Sequence, residues 1–182
     1  EWLSWPLQLP ASKTWTPLER GTQVAPAFKT EAAEGEKPQA QLVSWRFDGV
    51  CPPVPGGEAR TLLCAWNEGQ YLAPFWIGLQ GPEQRVMVLL SATPGRSHHY
   101  WCGPILQPGK PFSIQVAVHT GMGPGGLLWR WEDTAPWSSL MGSTPWGGER
   151  LDWPDNWSVG HDQYGKGGRS FGGEELEVSW HV

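Results

Sequence analysis

No run of about eighteen apolar residues occurs anywhere in the chain, so no segment is expected to span a bilayer as a helix. Basic charge is also scarce. Thirteen Lys and Arg stand against 18 Asp and Glu, for a net charge of −5, and the basic residues are scattered. A nucleic-acid binder gathers its cations into a patch or stripe to neutralise phosphates, so that class is set aside. Cysteine is limited to Cys51, Cys64 and Cys102, an odd set that cannot all pair within the chain. One bridge plus a buried thiol, or three reduced core thiols, are both open, and so few cysteines do not fix the compartment. The spacings C-x-x-C, H-x-H and H-E-x-x-H, which suit zinc or copper, are missing. GMGPGG (121–126) lacks the Lys-Ser/Thr that would make it a phosphate loop. No segment keeps an apolar face at i, i+3, i+4, i+7 for three turns, which argues against a helical fold.

What the chain has is tryptophan: 14, against 5 Phe and 3 Tyr in 182 residues. Gly (24) and Pro (18) approach the level at which disorder becomes an issue, but Trp-rich strand-like runs supply the burial a disordered chain lacks. In QLVSWRFDGV (41–50), Leu42, Ser44, Arg46 and Asp48 alternate with Val43, Trp45 and Phe47. FSIQVAVHT (112–120) puts Phe112, Ile114, Val116 and Val118 on one side and His119 on the other. Further strands are expected at 59–66, 73–80, 85–92, around YWCGPIL, at LLWRWED (127–133), at WSVGHD and at 176–182. Turn signals such as PPVPGG and PGKP separate them. The pattern predicts an all-β fold, a two-sheet antiparallel jelly-roll sandwich over 41–182. Residues 1–40 read as an irregular arm giving one or two strands, for instance near QVAPAF (23–28). The first residue is Glu1, which suggests a processed product or an excised part of a larger protein. An extracellular or periplasmic setting is the expectation.

The order LVSWRF, RTLLCAW, FWIGLQ, RVMVLL, FSIQVAVH and LLWRW, closed by WSVG (157–160), SFGG (170–173) and LEVSW (176–180), resembles the laminin G-like and concanavalin A-like jelly-roll superfamily. It departs from that pattern at Glu174 and Glu175 and in a long Trp-rich insertion at 134–156. The resemblance implies a sandwich of a kind that hosts lectins, carbohydrate-binding modules, adhesion domains, glycoside hydrolases and polysaccharide lyases, and does not choose among them.

The loop APWSSLMGSTPWGGERLDWPDNW (135–157) sets Trp137, Trp146, Trp153 and Trp157 among turn-forming and polar residues. Indole faces stack on the C–H faces of sugars, and Arg150, Asp152, Asp155, Asn156 and Tyr164 can bond hydroxyls. The expectation is a lectin-like, non-catalytic binder of a poly- or oligosaccharide through exposed indoles of this loop. Taken singly, each of these Trp residues is more often structural, since Trp is highly buried on average. Leu127, Trp129 and Trp131 read as a core stripe, with Arg130 on the opposite face. No cofactor is required; Asp152, Asp155 and Asp162 are the oxygen donors that calcium would use. As an enzyme, the chain would be a polysaccharide lyase or a glycoside hydrolase. VHT at His119 and YGKGG at 164–168 resemble strings of jelly-roll alginate lyases, which would make His119, Arg130 and Tyr164 the catalytic set. The Gln before His119 and an R-x-E-L-R string are both missing, and so is the E-x-D-x-x-E string of jelly-roll glucanases. A protein-interaction or structural domain is the remaining alternative, its exposed apolar loop seating a partner.

Overall fold

A computed structural model describes residues 15–24, 42–53, 59–68, 75–90, 99–119, 126–142, 154–164, 169–172 and 175–181. Every regular element among them is a strand, and all pairings are antiparallel. One sheet has six strands in the order β1 (Thr16–Leu18), β13 (Leu176–His181), β3 (Leu42–Val50), β8 (Pro111–His119), β9 (Leu127–Trp131) and β10 (Ser138–Ser139). The other has seven: β11 (Met141–Gly142), β7 (His99–Ile105), β6 (Arg85–Leu90), β5 (Phe75–Gln80), β4 (Arg60–Trp66), β12 (Asn156–Val159) and β2 (Gly21–Val24). The molecule is a two-sheet antiparallel β-sandwich.

Alternation decides which side chains the sheets enclose. Val43, Trp45 and Phe47 of β3 and Ile114, Val116 and Val118 of β8 are all fully buried, facing Leu63, Ala65, Ile77 and Val88 of the other sheet in one cluster. The two layers are joined by aromatic contacts. The Trp45 ring lies 5.0 Å from Phe75 and 5.9 Å from Trp157, and Trp157 meets Trp180 edge-on at 6.2 Å. Each such ring removes on the order of 150–250 Å² from water, which makes these indoles the main adhesive between the layers.

Two expectations change, and one left open is decided. The stretch 134–156 is not one unbroken loop: it contains β10 on the edge of one sheet and β11 on the edge of the other, with Leu140 buried between them. Gly142 allows this crossing, because a Cβ there would lie 2.5 Å from Cδ1 of Trp101. Strands of two residues are too short to show alternation, so the pattern could not reveal them. The stripe on β9 also thins along its length: Leu127 is buried, Trp129 half-buried and Trp131 37% exposed, the two indoles meeting edge-on at 5.4 Å. Finally, all three cysteines are free thiols, with Cys51 and Cys64 buried. Burial pushes the Cys64 thiol up to about 12.

Candidate functional site

The outer face of the six-stranded sheet carries a polar network that antiparallel register assembles. Arg46 on β3 sits opposite Gln115 on β8, and Gln115 opposite Arg130 on β9, so three polar side chains form one row across three strands. Arg130 Nε donates to Gln115 Oε1 at 2.8 Å, and Gln115 Nε2 donates in turn to Asp133 Oδ1. Asp133 lies in the turn after β9, where the preceding Glu132 takes a left-handed φ of 50° and donates its N–H to the Ser113 carbonyl. That sparsely populated backbone state folds the chain back over the sheet. Asp133 then also meets Arg46 Nη1 at 3.4 Å and Arg130 Nη2 at 3.8 Å. Arg46 Nε reaches Asp48 Oδ2 at 2.8 Å, so one guanidinium bridges two carboxylates.

Burial grades across this network. Gln115 is fully buried and the Arg130 side chain is 8% exposed, whereas Asp48 and Asp133 are each 34% exposed. Burial pulls the Arg130 guanidinium below its usual value against the opposing field of Asp133, while the hydrogen bond that Arg46 donates to Asp48 raises Arg46. Trp137 covers the buried end, its ring centroid 4.6 Å from Arg130 Cζ, a cation–π contact. Four buried polar atoms belonging to this face, Ser44 Oγ, Ser113 Oγ, Trp137 Nε1 and His181 Nδ1, have no hydrogen-bond partner. Such atoms are rare in folded proteins.

The expected site residues scatter. Trp157 is a correction: it is fully buried between Trp45 and Trp180, because alternation along β12 points it inward, and it offers no face to a sugar. Trp137 is half-buried and belongs to the network above. Trp146, Arg150, Asp152 and Trp153 lie outside the described residues. Asp155 is exposed, its N–H donating to Asn67 Oδ1 at 2.8 Å, and the Asn156 amide is used on the Trp66 carbonyl at 3.4 Å. Tyr164 is 58% exposed.

The lyase set does not assemble. Phe171 meets Phe112 edge-on at 6.4 Å and donates its N–H to the Gly160 carbonyl, which brings the end of β12, and Tyr164 beyond it, to the start of β8. His119 closes the opposite end of β8, about 27 Å away at roughly 3.4 Å per residue. It lies on the outer side of its strand, as expected, but is 3% exposed, and burial lowers its pKa. Of the calcium donors, Asp152 lies outside the described residues. Asp155 and Asp162 flank β12 at opposite ends, and among the described residues no group of three His, Cys, Asp or Glu is placed to hold an ion. Both Asp162 oxygens are taken: Oδ1 accepts from the Tyr164 N–H at 2.9 Å, and Oδ2 from Arg169 Nη1 at 3.3 Å.

Sequence reasoning missed Arg46, Asp48, Gln115 and Asp133 as site members. Alternation does put Arg46 and Asp48 on the face away from the core, but which residues face them across β8 and β9 is set by register, which no local pattern carries.

The chain matches no protein-family model. It matches none of the curated proteins. Among solved structures it is similar to a mutant of the GH43 protein BlXynB from Bacillus licheniformis, with a TM-score of 0.39 and 12% identity over 76% of this chain. That overlap spans 26% of the BlXynB chain, about a quarter of its length. The chemistry of the site therefore rests on the residues themselves.

Proposed function

We propose that this sandwich binds a glycan without transforming it, on the outer face of the six-stranded sheet. One observation carries the reading: an indole, Trp137, stacks on the buried Arg130 beside two carboxylates that remain a third exposed. A flat apolar ring next to fixed polar groups is the composition of a small-ligand site, in which the ring covers sugar C–H and the carboxylates and Arg46 bond hydroxyls. Of the four loop indoles expected to stack on sugar, Trp137 keeps that role in this reading and Trp157 loses it.

A glycan array tests this. Trp137→Ala is expected to weaken retention of any bound glycan about tenfold or more, the size of a hot-spot loss, and Asp48→Asn several-fold, with unchanged melting temperatures. Binding is expected to persist in EDTA, because Asp48 and Asp133 are held by arginines rather than gathered around a cation. An array on which the wild type retains nothing, or on which Trp137→Ala matches it, rejects the reading.

A second reading has its own support. The outer face of the seven-stranded sheet exposes Tyr100 (46%) and Met141 (72%) beside half-buried Met87 and Leu89, an apolar surface of the type that seats protein partners. If that surface is the functional one, Met141→Lys alters the protein's associations and Trp137→Ala does not.

A further inference from the structure

Adjacent strands β5, β6, β7 and β11 bring Gly78, Met87, Cys102 and Met141 into one line across the outer face of the seven-stranded sheet, each paired with the next by register. Their sequence neighbours fix that facing. Val86 and Val88 flank Met87 and are fully buried, while Trp101 and Leu140, beside Cys102 and Met141, are 5% and 6% exposed on the core side. Met87 and Cys102 are half-buried on the outside, and Met141 is 72% exposed there. Directly opposed residues of antiparallel strands hold their Cβ atoms about 4.5–5.5 Å apart. A thiol thus stands between two thioethers at neighbour spacing.

Both ends of the row are held. A Cβ on Gly142 would lie 2.5 Å from Trp101 Cδ1, so β11 lies tight against β7 and keeps Met141 beside Cys102. At the other end the Trp76 indole lies over Gly78, where a Cβ would collide with the ring, and its Nε1 is tied to Thr61 Oγ1 at 2.8 Å. Met87 packs against the cluster that contains this indole. The ring fills the β5 side of Met87 and leaves its thioether the side toward Cys102. Methionine is unbranched and turns about three bonds, so both thioethers can swing to a centre shared with the thiol. Cys102 is also the accessible cysteine, since Cys51 and Cys64 are buried.

We propose that Met87, Cys102 and Met141 form a three-sulfur site for copper(I). Thiolate and thioether sulfur select soft ions, whereas calcium and magnesium take oxygen. On binding, the Cys102 thiol gives its proton to solvent and its thiolate bonds the metal, and each methionine sulfur adds a lone pair. No electron is transferred. One thiolate cancels the single charge of the ion, so the complex places no net charge on a half-buried apolar surface; a divalent ion would leave one. The site is independent of the glycan reading, whose residues occupy the other sheet.

The test offers the protein copper(I) in oxygen-free buffer against the chromogenic chelator bathocuproine disulfonate. The wild type is expected to withhold one equivalent. Cys102→Ser should weaken the site at least about a hundredfold, and the volume-conserving Met87→Leu and Met141→Leu about tenfold each, the span that loss of even an outer-shell partner costs at metal sites. Silver(I), a monovalent soft ion, gives a readout on the unmodified chain. Its three methionines supply three ε-methyl resonances, of which those of Met87 and Met141 are assigned by their loss in the Leu variants. Both should shift together and saturate at one equivalent of silver. Cys102→Ser binding like the wild type overturns the proposal. So does a Met87→Leu, Met141→Leu double variant that keeps full affinity, which would mark a lone thiol, and so do methyl resonances that stay in place or move separately. Zinc(II) shifting both methyls as silver does overturns the preference for a soft monovalent ion.

Discussion

On β3, β8 and β9 the residues that turn away from the core in one row are Arg46, Gln115 and Arg130; on β4, β5 and β6 they are Cys64, Trp76 and Leu89. Each row is an outer face of the same sandwich, generated by the same period-two alternation, yet the first is ionic and the second apolar. Neither is ordinary solvated surface. Gln115 is fully buried in the first, and Cys64 and Trp76 are 0% and 6% exposed in the second. In the polar row each side chain has a partner: Arg130 donates to Gln115, Gln115 to Asp133 and Arg46 to Asp48. The apolar row answers its few polar atoms singly, Trp76 Nε1 donating to Thr61 Oγ1 and Trp66 Nε1 to Ser158 Oγ, each at 2.8 Å. The difference is one of directionality, since hydrogen-bond networks can orient a ligand and apolar contact does not.

The comparison can be broken most forcefully from between the layers. Trp157→Ala removes a fully buried ring that both sheets share and is expected to cost about 3–5 kcal/mol, read as the shift in urea midpoint. If the loss falls well below 1 kcal/mol, Trp157 is not the shared anchor described. Next in size is Gln115→Leu, which leaves Arg130 Nε without its acceptor and removes one of the donors to Asp133, and is expected to cost about 1–3 kcal/mol. It should also weaken glycan retention, a readout that a merely structural residue would leave unmoved. Thr61→Val on the apolar face strips one acceptor from Trp76 and is expected to cost about 1 kcal/mol with retention unchanged. Equal effects of these two substitutions on retention would erase the distinction between the faces.

The smallest effect is in pH. His119 and His181 both lie on the strands of the six-stranded sheet, and burial lowers both from the ordinary value of 6.5. As pH falls through 6.5 the unfolded chain therefore takes up protons before the folded one does. Their contribution to stability is complete above 6.5 and is lost progressively below it. The urea midpoint should fall modestly between pH of about 7.5 and about 5.5, and less steeply in His119→Gln. A midpoint that rises on acidification contradicts the direction.

Much of the core was legible because alternation is local. Val43, Trp45 and Phe47 face inward on β3, and Phe112, Ile114, Val116 and Val118 share a side of β8, as the residue order alone requires. The indoles were read less well. Trp157 follows Pro154, Asp155 and Asn156, and turn-forming neighbours suggested exposure, whereas its register against Ala65 on β4 and Gln23 on β2 points it inward. Composition around a residue reports the turn beside it, not which side of the sheet the next residue takes. The site residues Gln115 and Asp133 were invisible for a related reason. One reads as an ordinary strand position, and the other works only because Glu132 adopts a left-handed backbone.

By itself the amino-acid order determined that this chain is built of strands, that those strands bury one face, and which side chains of β3 and β8 fill the interior. These are properties of neighbours along the backbone, fixed by a period of two. Only the tertiary structure decided that Arg46, Gln115, Arg130, Asp133 and Trp137 meet. Those meetings depend on register and on sheet order across wide separations in sequence, which hydrogen-bonded pairing sets and no local pattern encodes.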